Sequence, residues 1–445
     1  MIKRIQFVIF TADMSFIPEI EQRPLADQAH FQYEKLKTML AMLQEKSPFY
    51  QRLFKAKKID IADIRALEDI VKLPTTSKED LQNNNRDFLC VPPAAVREYT
   101  CTSGTLGRPV TIALTEQDLQ RLAYNEMLSF QCMGLKQEDI VQLMLTMDRQ
   151  FMAGMAYYSG IRKIGATIIR SGPGLAKMQW ETIERLKTTT VVAIPSFLLK
   201  LIAEKPEHFP LENCSVQKVL AIGESLKNED LQDNALARSI LKKWNLSLFS
   251  TYASTEMQTA FTECSEKQGG HHHPELLIVE LLNDEGLPVK DHEAGEVTIT
   301  TLGVEAMPLL RYKTGDICKA YYEPCACGRQ TMRLGPTLAR KSQRIKFKGT
   351  TIYPAAAIEV IMQTEEIENY VLRISKNTQE QDHLTFYLNT QFPEQELTEK
   401  LRSLFRHKLR VVPEIHFLNA TKLREMQYPG NSRKPFKIQD LRNQS

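Results

Sequence analysis

A loop rich in glycine and small hydroxyl side chains lies between Tyr99 and Val110, with the sequence YTCTSGTLGRPV. Glycines let backbone N–H groups converge on one point, Thr and Ser hydroxyls donate hydrogen bonds, and a nearby cation neutralises negative charge. This combination suits an oxyanion, and a phosphate above all. The residues that would bind it are Thr102, Ser103, Gly104, Thr105, Gly107 and Arg108.

The loop differs from the common nucleotide-binding motif G-x-x-x-x-G-K-[ST]. Gly104 and Gly107 are too close together, and Pro109 follows the cation where that motif needs Ser or Thr. The flanking segments VREYT and PVTIALT both have the composition of strands, and a helix begins only near Thr115. The pattern therefore predicts a loop between two strands. A Ser/Thr/Gly turn without a ligand is the alternative.

Three later motifs carry side chains of related chemistry. TYASTE at 251–256 ends in Glu256, which could bind Mg²⁺, and LLRYKTGD at 309–316 ends in Asp316, whose carboxylate could accept both hydroxyls of a ribose. RKPFK at 433–437 offers lysines near the C-terminus. Each motif has a simpler explanation, since Asp after Gly is common in turns, Glu at a helix start stabilises the helix dipole, and such lysines are usually solvated.

Cysteine and histidine residues form one further set. The eight cysteines are scattered apart from the pair Cys325 and Cys327, which argues against a disulfide framework. Cys264 and His271 in CSEKQGGH, together with this pair, supply three thiolates and one imidazole. Such a set is typical of a structural zinc site that has no open position.

Alternatives to this ligand set are open at the level of sequence. The imidazole could come from His272 or His273, and the thiols could be free. The other cysteines have no such grouping and are predicted to pack as small apolar residues. They are Cys90, Cys101, Cys132, Cys214 and Cys318.

Extended apolar segments alternate with helical ones through the middle of the chain. IVQLML, ATIIRSG, TVVAIP, VQKVLAIG and LSLFSTYAS have the composition of strands, and a helical segment follows each of the first four. This alternation predicts an α/β sheet with much parallel pairing. Ligands of such sheets bind beyond the carboxyl ends of the strands, so we expect the site in the loops 194–197, 222–225 and 251–256.

The pattern of predicted strands and helices changes in the second half of the chain. At 445 residues the chain is too long for one hydrophobic core. Short strands after residue 275 predict a β-rich subdomain at about 257–339. From about residue 344, strands alternate with two helical segments and predict a compact α+β unit.

Composition limits the functional classes. The formal net charge is only +3, and no basic stripe with interleaved aromatic residues indicates a nucleic-acid partner. No apolar run approaches the ~20 residues of a membrane-spanning helix. The N-terminal MIKRIQFVIFTADMSF only loosely resembles a signal peptide, so we expect an ordinary strand or helix there and a cytoplasmic protein.

Taken in order, these motifs resemble those of the adenylate-forming superfamily, and more closely those of the phenylacetate–CoA ligases. The stretches that carry the resemblance are SPFYQRLF, LPTTSKEDL, TSGTLGRP, YASTE, EAMPLLRYKTGDI and, after Arg340, RIKFKGTTIYP. The resemblance covers nearly the whole chain. It implies an α/β fold with a large N-terminal domain at 1–339, a hinge at 340–343 and a small mobile α+β domain at 344–445.

The resemblance also implies the nucleotide site. The loop at 102–109 would wrap the β- and γ-phosphates of ATP, Tyr252 would stack against the adenine, and Arg340 would contact the ribose or a phosphate. Glu256 would hold magnesium and Asp316 the ribose hydroxyls. Further residues of the implied site are Gly223, Glu224, Ala253, Ser254 and Thr255.

Other implied roles belong to the moving parts and to the acyl pocket. Lys434 would enter the site during adenylation, with Lys437 as its rival. A rotation about the hinge would then replace it with the face that carries Lys346, Lys348 and Gly349 for the CoA step. AGMAYYSG resembles the stretch that lines the acyl pocket, which makes Tyr157 and Tyr158 substrate candidates.

The implied activity is ATP-dependent conversion of a carboxylic acid, aromatic and phenylacetate-like, to an acyl-adenylate and then to an acyl-CoA. ATP, Mg²⁺, CoA and a structural Zn²⁺ would take part, and such enzymes often form homodimers. The chain departs from the family pattern at Leu106, at Arg108 and in the pair Ser342–Gln343, where the hinge usually has Asp-Asp. Two alternatives therefore stay open, namely transfer of the acyl group to an amine or carrier protein and a nucleotide-binding protein without catalysis.

Overall fold

A computed structural model of the chain describes residues 16–102, 109–343, 345–347, 350–377, 381–428 and 436–442. Several predictions fall elsewhere and lie outside the described residues. They concern the N-terminal strand or helix in MIKRIQFVIFTADMSF, the loop residues Ser103, Gly104, Thr105, Gly107 and Arg108, and the residues Lys348, Gly349 and Lys434.

The helices form where capping chemistry and apolar spacing favour them. At the start of the fourth helix the Thr115 hydroxyl accepts the N–H of Asp118 at 3.1 Å, and the Asp118 carboxylate accepts the N–H of Thr115 at 3.0 Å. The α-helices in the described residues are α1 (Leu25–Lys46), α2 (Pro48–Lys57), α3 (Lys78–Asn83), α4 (Glu116–Cys132), α5 (Met152–Ile164), α6 (Ala176–Leu186), α7 (Pro195–Ala203), α8 (Ala235–Leu241), α9 (Pro354–Met362), α10 (Glu394–Leu409) and α11 (Ala420–Gln427).

The strands are short, and most follow the apolar segments of the sequence. In chain order they are β1 (Glu98–Cys101), β2 (Thr111–Leu114), β3 (Ile140–Leu143), β4 (Thr167–Arg170), β5 (Thr190–Ala193), β6 (Lys218–Ala221), β7 (Ser247–Ser254), β8 (Thr259–Glu263), β9 (Gly270–His271), β10 (Leu277–Leu282), β11 (Gly295–Thr301), β12 (Tyr312–Cys318), β13 (Ala320–Tyr321), β14 (Arg333–Leu334), β15 (Ala339–Arg340), β16 (Ile345–Phe347), β17 (Thr350–Ile352), β18 (Asn369–Lys376), β19 (Asp382–Asn389), β20 (Glu414–Phe417) and β21 (Ile438–Asp440).

A nine-stranded sheet in the order β13-β14-β9-β8-β7-β6-β5-β3-β4 dominates the large part of the molecule. Its strands β7, β6, β5, β3 and β4 pair in parallel, which confirms the pairing predicted from the strand–helix alternation. Strand β5, in the middle of the five parallel strands, is buried at every position because helices cover both faces of a parallel sheet. The carboxyl ends of these strands therefore meet at one edge.

Strand β7 changes its type of pairing along its length. Its first half pairs in parallel with β6, and Thr251–Ser254 then pair in antiparallel with β8. Strands β8, β9, β14 and β13 extend the large sheet from there, whereas β10, β11, β12 and β15 form a separate antiparallel sheet. The segment predicted as β-rich thus contributes to two sheets.

The C-terminal part has its own sheet and core. Strands β20-β19-β18-β21 form a four-stranded sheet, and helix α10 buries Leu397, Leu401 and Phe405 at a spacing of four residues. The predicted fold class, a large N-terminal α/β domain with a smaller α+β domain, is confirmed. Among the described residues, no helix is both long enough and apolar enough to cross a bilayer.

Candidate functional site

The hydroxyl-rich loop leaves and rejoins an antiparallel hairpin. Strands β1 and β2 pair from Glu98 opposite Leu114 to Cys101 opposite Thr111, which confirms the prediction of a loop between two strands. Two hydrogen bonds join Thr102 to Val110 at the base of the loop. The N–H of Thr102 donates to the carbonyl of Val110, and its hydroxyl accepts a hydrogen bond from the N–H of Val110, both at 3.0 Å. Residues 103–108 themselves lie outside the described part of the chain.

Two loops at the carboxyl edge of the sheet are tied together by Glu224. Its carboxylate accepts the backbone N–H and the hydroxyl of Ser196, each at 2.8 Å, at the N-terminus of α7. A carboxylate at this position also interacts favourably with the helix dipole. Gly223 has a φ of 76°, a conformation that favours glycine, and a Cβ there would meet no atom within 4 Å. The loops predicted at 194–197 and 222–225 are therefore adjacent, with open space above Gly223.

Asp316 is the centre of the next group. Its carboxylate accepts a hydrogen bond from the Tyr252 hydroxyl at 2.9 Å and another from Nε of Arg340 at 3.0 Å. Asp316 is buried whereas the Arg340 side chain is half exposed, so the pair opens toward solvent on one side. Burial raises the pKa of Tyr252 well above its ordinary value, and the charge of Asp316 adds to this effect. Three residues predicted as one nucleotide site are thus in direct contact.

Glu256 lies beside this group. The Tyr312 hydroxyl donates to its carboxylate at 3.4 Å, and burial together with the Glu256 charge raises the pKa of Tyr312. Glu256 is half-buried and follows strand β7. The strand predicted in LSLFSTYAS is confirmed as β7, so Thr251–Ser254 of the expected loop 251–256 belong to this strand, where they pair with β8.

The motif that contains Asp316 lies in one of the short strands predicted after residue 275, not in a turn. Asp316 lies in β12 and pairs with Arg340 of β15. Arg311, just before this strand, is buried and binds Glu280 through Nε at 2.9 Å and Nη2 at 2.7 Å. Its Nη1 also donates to the carbonyl of Leu73. The arginine of RYKTGD therefore anchors the strand that carries the aspartate.

The two tyrosines proposed for the acyl pocket lie on α5 in different surroundings. Tyr157 is 3% exposed and packs edge-on against Phe130 at 5.6 Å between ring centroids. Tyr158 is half-buried, and the guanidinium groups of Arg162 and Arg170 lie 5.9 and 5.7 Å from its ring centroid. The assignment of both residues to the acyl pocket stays a prediction.

The predicted zinc ligands meet where β8, β9 and the loop before β14 come together. The ligand atoms of Cys264, His271, Cys325 and Cys327 all lie within 4.8 Å of one another. Sγ of Cys264 is 3.7 Å from Sγ of Cys325, and Sγ of Cys327 is 3.4 Å from Nε2 of His271. Hydrogen bonds from Cys264 and then from His271 hold the pKa of the Cys327 thiol well below its usual range.

The alternative histidines have other partners in the fold. His272 Nε2 contacts the carbonyl of Leu277 at 2.5 Å, and His273 Nδ1 contacts the carboxylate of Glu21 at 2.6 Å. The structure therefore favours His271 as the imidazole of the set. Its second nitrogen, Nδ1, is 3.2 Å from the Thr331 hydroxyl, which can orient the ring.

One further cysteine and one buried ion pair adjoin this cluster and were not predicted. Cys132 is buried and packs against Cys264 and Cys325, which confirms that it packs as a small apolar residue and places it beside the predicted ligands. Glu21 is fully buried and binds Nε of Arg329 at 2.8 Å, and Arg329 in turn donates to Sγ of Cys327 at 3.6 Å. The cluster is thereby tied to the N-terminal segment, a contact between residues too distant in sequence for any spacing rule to reveal.

Comparison with protein families identifies the class of the molecule. The family model described as AMP-binding enzyme matches residues 5–306, which is more than half of the chain. The chain belongs to the AMP-binding enzyme family. Within this family the chain is 28% identical to the phenylacetate-coenzyme A ligase of Thermus thermophilus over 359 residues, 80% of this chain and 79% of that protein. It is 25% identical to the phenylacetate-coenzyme A ligase of Escherichia coli over 444 residues, 95% of this chain and 97% of that protein.

Solved structures of AMP-binding enzymes share the fold. The structure of a 2-hydroxyisobutyryl-CoA ligase in the postadenylation state matches with a TM-score of 0.83 at 18% identity, over 97% of this chain and 94% of that chain. At this identity the match bears on the fold alone. The resemblance to phenylacetate–CoA ligases that the sequence motifs indicated is confirmed, and it extends beyond residue 306 into the part that carries Asp316 and Arg340.

Proposed function

We propose that the protein is an AMP-forming acid–CoA ligase that activates an aromatic, phenylacetate-like carboxylic acid. One observation carries this proposal, namely the similarity to a phenylacetate-coenzyme A ligase over 95% of the chain and 97% of the relative. A match of this extent includes both the sheet edge with Glu224, Tyr252 and Asp316 and the small C-terminal unit. An enzyme that performs two successive reactions needs both parts.

The proposed reaction has two steps. In the first, a carboxylate oxygen of the acid attacks the α-phosphorus of ATP, the bond to the β-phosphate oxygen breaks, and pyrophosphate leaves. In the second, the thiol of CoA loses its proton and attacks the acyl carbon, and AMP leaves with the bonding electrons. Both steps bring negative groups together, so positioning and charge neutralisation supply most of the catalysis.

The described residues support specific roles in the first step. Asp316 would bind the ribose hydroxyls, since it is buried, faces a partly exposed Arg340 and is held in place by two hydrogen-bond donors. Glu256 would hold Mg²⁺ with the Tyr312 hydroxyl as a neighbour. Thr102 would position the phosphate loop, and Ala253 and Ser254 at the end of β7, with Thr255 after it, would contribute the adenine side of the site.

The roles proposed for the second step depend on the C-terminal unit. Lys346 lies in strand β16, and Lys348 and Gly349 follow it in the sequence. Lys341 of the proposed hinge forms ion pairs with Asp284 at 2.9 Å and Glu296 at 3.0 Å, which hold this end of the hinge to the separate antiparallel sheet. A rotation that exchanges the two catalytic faces would then occur after Lys341.

The activity is tested by measuring pyrophosphate release with a panel of carboxylic acids, with and without CoA. We expect release that depends on an aromatic acid, and acyl-CoA and AMP in equal amounts when CoA is present. CoA-independent turnover that is accelerated by an amine or a carrier protein would favour that acceptor over CoA. ATP binding without any acid-dependent release of pyrophosphate across the panel would contradict a ligase.

We further propose that Cys264, His271, Cys325 and Cys327 bind one structural zinc ion. The support is the donor set of three thiols and one imidazole within 4.8 Å, which suits tetrahedral zinc with no position left for substrate. When bound, the ion would cross-link β8, β9 and the loop before β14. The ion would stabilise the fold and would take no part in catalysis.

Protein purified without added metal is expected to contain about one zinc ion per chain, because a closed tetrahedral site retains its ion. Cys325→Ser should lose the metal and melt at a lower temperature, whereas the matched variant Cys214→Ser, at a half-buried thiol far from the set, should keep it. Elemental analysis and thermal unfolding measure both effects. A metal-free wild-type protein whose melting temperature does not respond to zinc or to a chelator would contradict the site.

A further inference from the structure

A buried arginine joins the predicted zinc ligands to the N-terminal segment of the chain. Arg329 is 2% exposed, and its Nη1 donates to Sγ of Cys327 at 3.6 Å. Its Nε donates to the carboxylate of Glu21 at 2.8 Å, and Glu21 is fully buried as well. A guanidinium donates from several nitrogens in one rigid plane, so a single group holds the thiol and the carboxylate at the same time.

Backbone hydrogen bonds fix both ends of this link. The N–H of Gln330 donates to the carbonyl of Glu21 at 2.7 Å, and the N–H of Cys325 donates to the carbonyl of Arg329 at 2.9 Å. The loop before β14 that carries two of the thiols therefore lies directly against the 3₁₀ turn Glu19–Gln22. Glu21 and Arg329 are 308 positions apart in the chain.

Glu21 also reaches the second segment that carries a ligand. Its other carboxylate oxygen is 2.6 Å from Nδ1 of His273, which lies two residues after His271. One carboxylate of the N-terminal segment thus contacts the segment that follows β9 and, through Arg329, the loop before β14. These are the two segments that supply His271 and Cys327.

Charge gives the link a reason to depend on the metal. Three thiolates carry one more negative charge than a Zn²⁺ ion carries positive charge. The Arg329 guanidinium lies against one of these thiolates in a buried place, where solvent and salt screen the attraction little. Partners of this kind orient the ligand atoms, and their loss typically costs about ten- to hundredfold in metal affinity.

We propose that Arg329 is a positioning residue of the zinc site and that, through Glu21, it couples zinc binding to the docking of residues 16–24. The inference rests on the proposed zinc site. The docked segment holds Glu21 against Arg329, and Arg329 holds the Cys327 thiolate where the metal binds. Thermodynamic linkage then requires that a bound metal stabilise the docked segment by the same factor.

The first test measures zinc affinity in the full chain by competition with a chromogenic chelator. Glu21→Gln removes the charge at constant shape, and Arg329→Lys keeps the charge but loses the planar group that reaches both partners. Each should weaken zinc binding about ten- to hundredfold. Wild-type affinity in Glu21→Gln would overturn the proposal, and this variant decides the test if Arg329→Lys does not fold.

The matched control is a second buried arginine with a carboxylate partner. Arg311 is 3% exposed and pairs with Glu280 of the separate antiparallel sheet. Arg311→Lys should bind zinc like the wild type even if it melts at a lower temperature. An equal loss of zinc affinity in this variant would show that affinity follows overall stability, and would overturn a specific role for Arg329.

A double-mutant cycle tests whether Glu21 acts through Arg329. Residues that act as one unit lose their effect together, so the variant with both changes should bind zinc about as weakly as the weaker single variant. Additive losses would show two independent effects and would overturn the link.

Amide hydrogen exchange measures the coupling from the other end. Removal of the metal from the wild type by a chelator should quicken exchange in residues 16–24 and at the N–H of Gln330 about ten- to hundredfold, the factor that linkage sets. In Glu21→Gln these amides should already exchange fast, and metal removal should change them little. Exchange in the wild type that ignores the metal would overturn the coupling.

The outcomes distinguish this inference from the proposals on which it builds. A wild type that binds no metal would overturn the zinc site and this inference together. A wild type that holds zinc, with wild-type affinity in Glu21→Gln, would overturn only the role of Glu21 and Arg329. Neither readout uses turnover, so the ligase reaction is decided separately by pyrophosphate release.

Discussion

Lys434→Ala is expected to slow acid-dependent pyrophosphate release by about 10²–10³-fold, the usual effect of removing one preorganised donor from a charged transition state. The lysine ammonium would bridge the substrate carboxylate and the α-phosphate, where negative charge accumulates as the new bond forms. Release of pyrophosphate in a continuous coupled assay measures the loss. Thioester formation from a supplied acyl-adenylate should be largely spared, because the proposed rotation would have moved the small unit away by then.

The two lysines are separated by the size and the pattern of their effects. Lys434→Ala should cost about 10²–10³-fold in the first half-reaction, whereas Lys437→Ala should change neither half-reaction. If both half-reactions fell together in Lys434→Ala, the lysine would be structural. If Lys437→Ala alone abolished adenylation, Lys437 would be the catalytic lysine instead.

Asp316→Ala is expected to weaken ATP binding at least about tenfold. Each charge-assisted hydrogen bond from a ribose hydroxyl to a carboxylate contributes roughly 1.5–3 kcal/mol, and about 1.4 kcal/mol corresponds to a factor of ten. The carboxylate is 6% exposed and lies between Tyr252 and Arg340, so its position is already set before a nucleotide binds. Titration calorimetry with ATP measures the change.

Two controls keep this result specific. Asp316→Asn keeps one acceptor for the Tyr252 hydroxyl and should lose less affinity than the alanine variant. Asp291→Asn, at an exposed carboxylate in the loop between β10 and β11, should bind ATP like the wild type. Unchanged affinity in a folded Asp316→Ala protein, with its circular dichroism preserved, would rule out the ribose assignment.

The local sequence was sufficient to predict the strands and helices of the parallel sheet and to name the candidate site residues. The alternation of apolar strands and amphipathic helices predicts the parallel sheet, since burial on both faces needs continuous apolar strands and covering helices. The side chains at strand ends could likewise be named, because the carboxyl ends of parallel strands meet at one edge. The cysteine and histidine set was found from donor chemistry alone.

Strand limits at the site depended on pairing partners that are distant in sequence. Residues 251–256 were expected in a loop, although LSLFSTYAS has strand composition through Ser254, and the structure places Thr251–Ser254 in β7, where β8 pairs with them. Local composition carries turn propensity, but hydrogen bonds to a neighbouring strand override it. Sequence periodicity does not contain the order or register of strands.

Only the tertiary structure decided which polar groups meet. It placed Tyr252, Asp316 and Arg340 in one group, favoured His271 over its two neighbours, and joined Glu21 to Arg329 beside the cysteine–histidine cluster. It also placed the Lys437 ammonium 4.9 Å from the centroid of the Tyr370 ring. These contacts join residues far apart in the chain, and their geometry is set by sheet order, helix packing and the burial of charge, which one local pattern cannot encode.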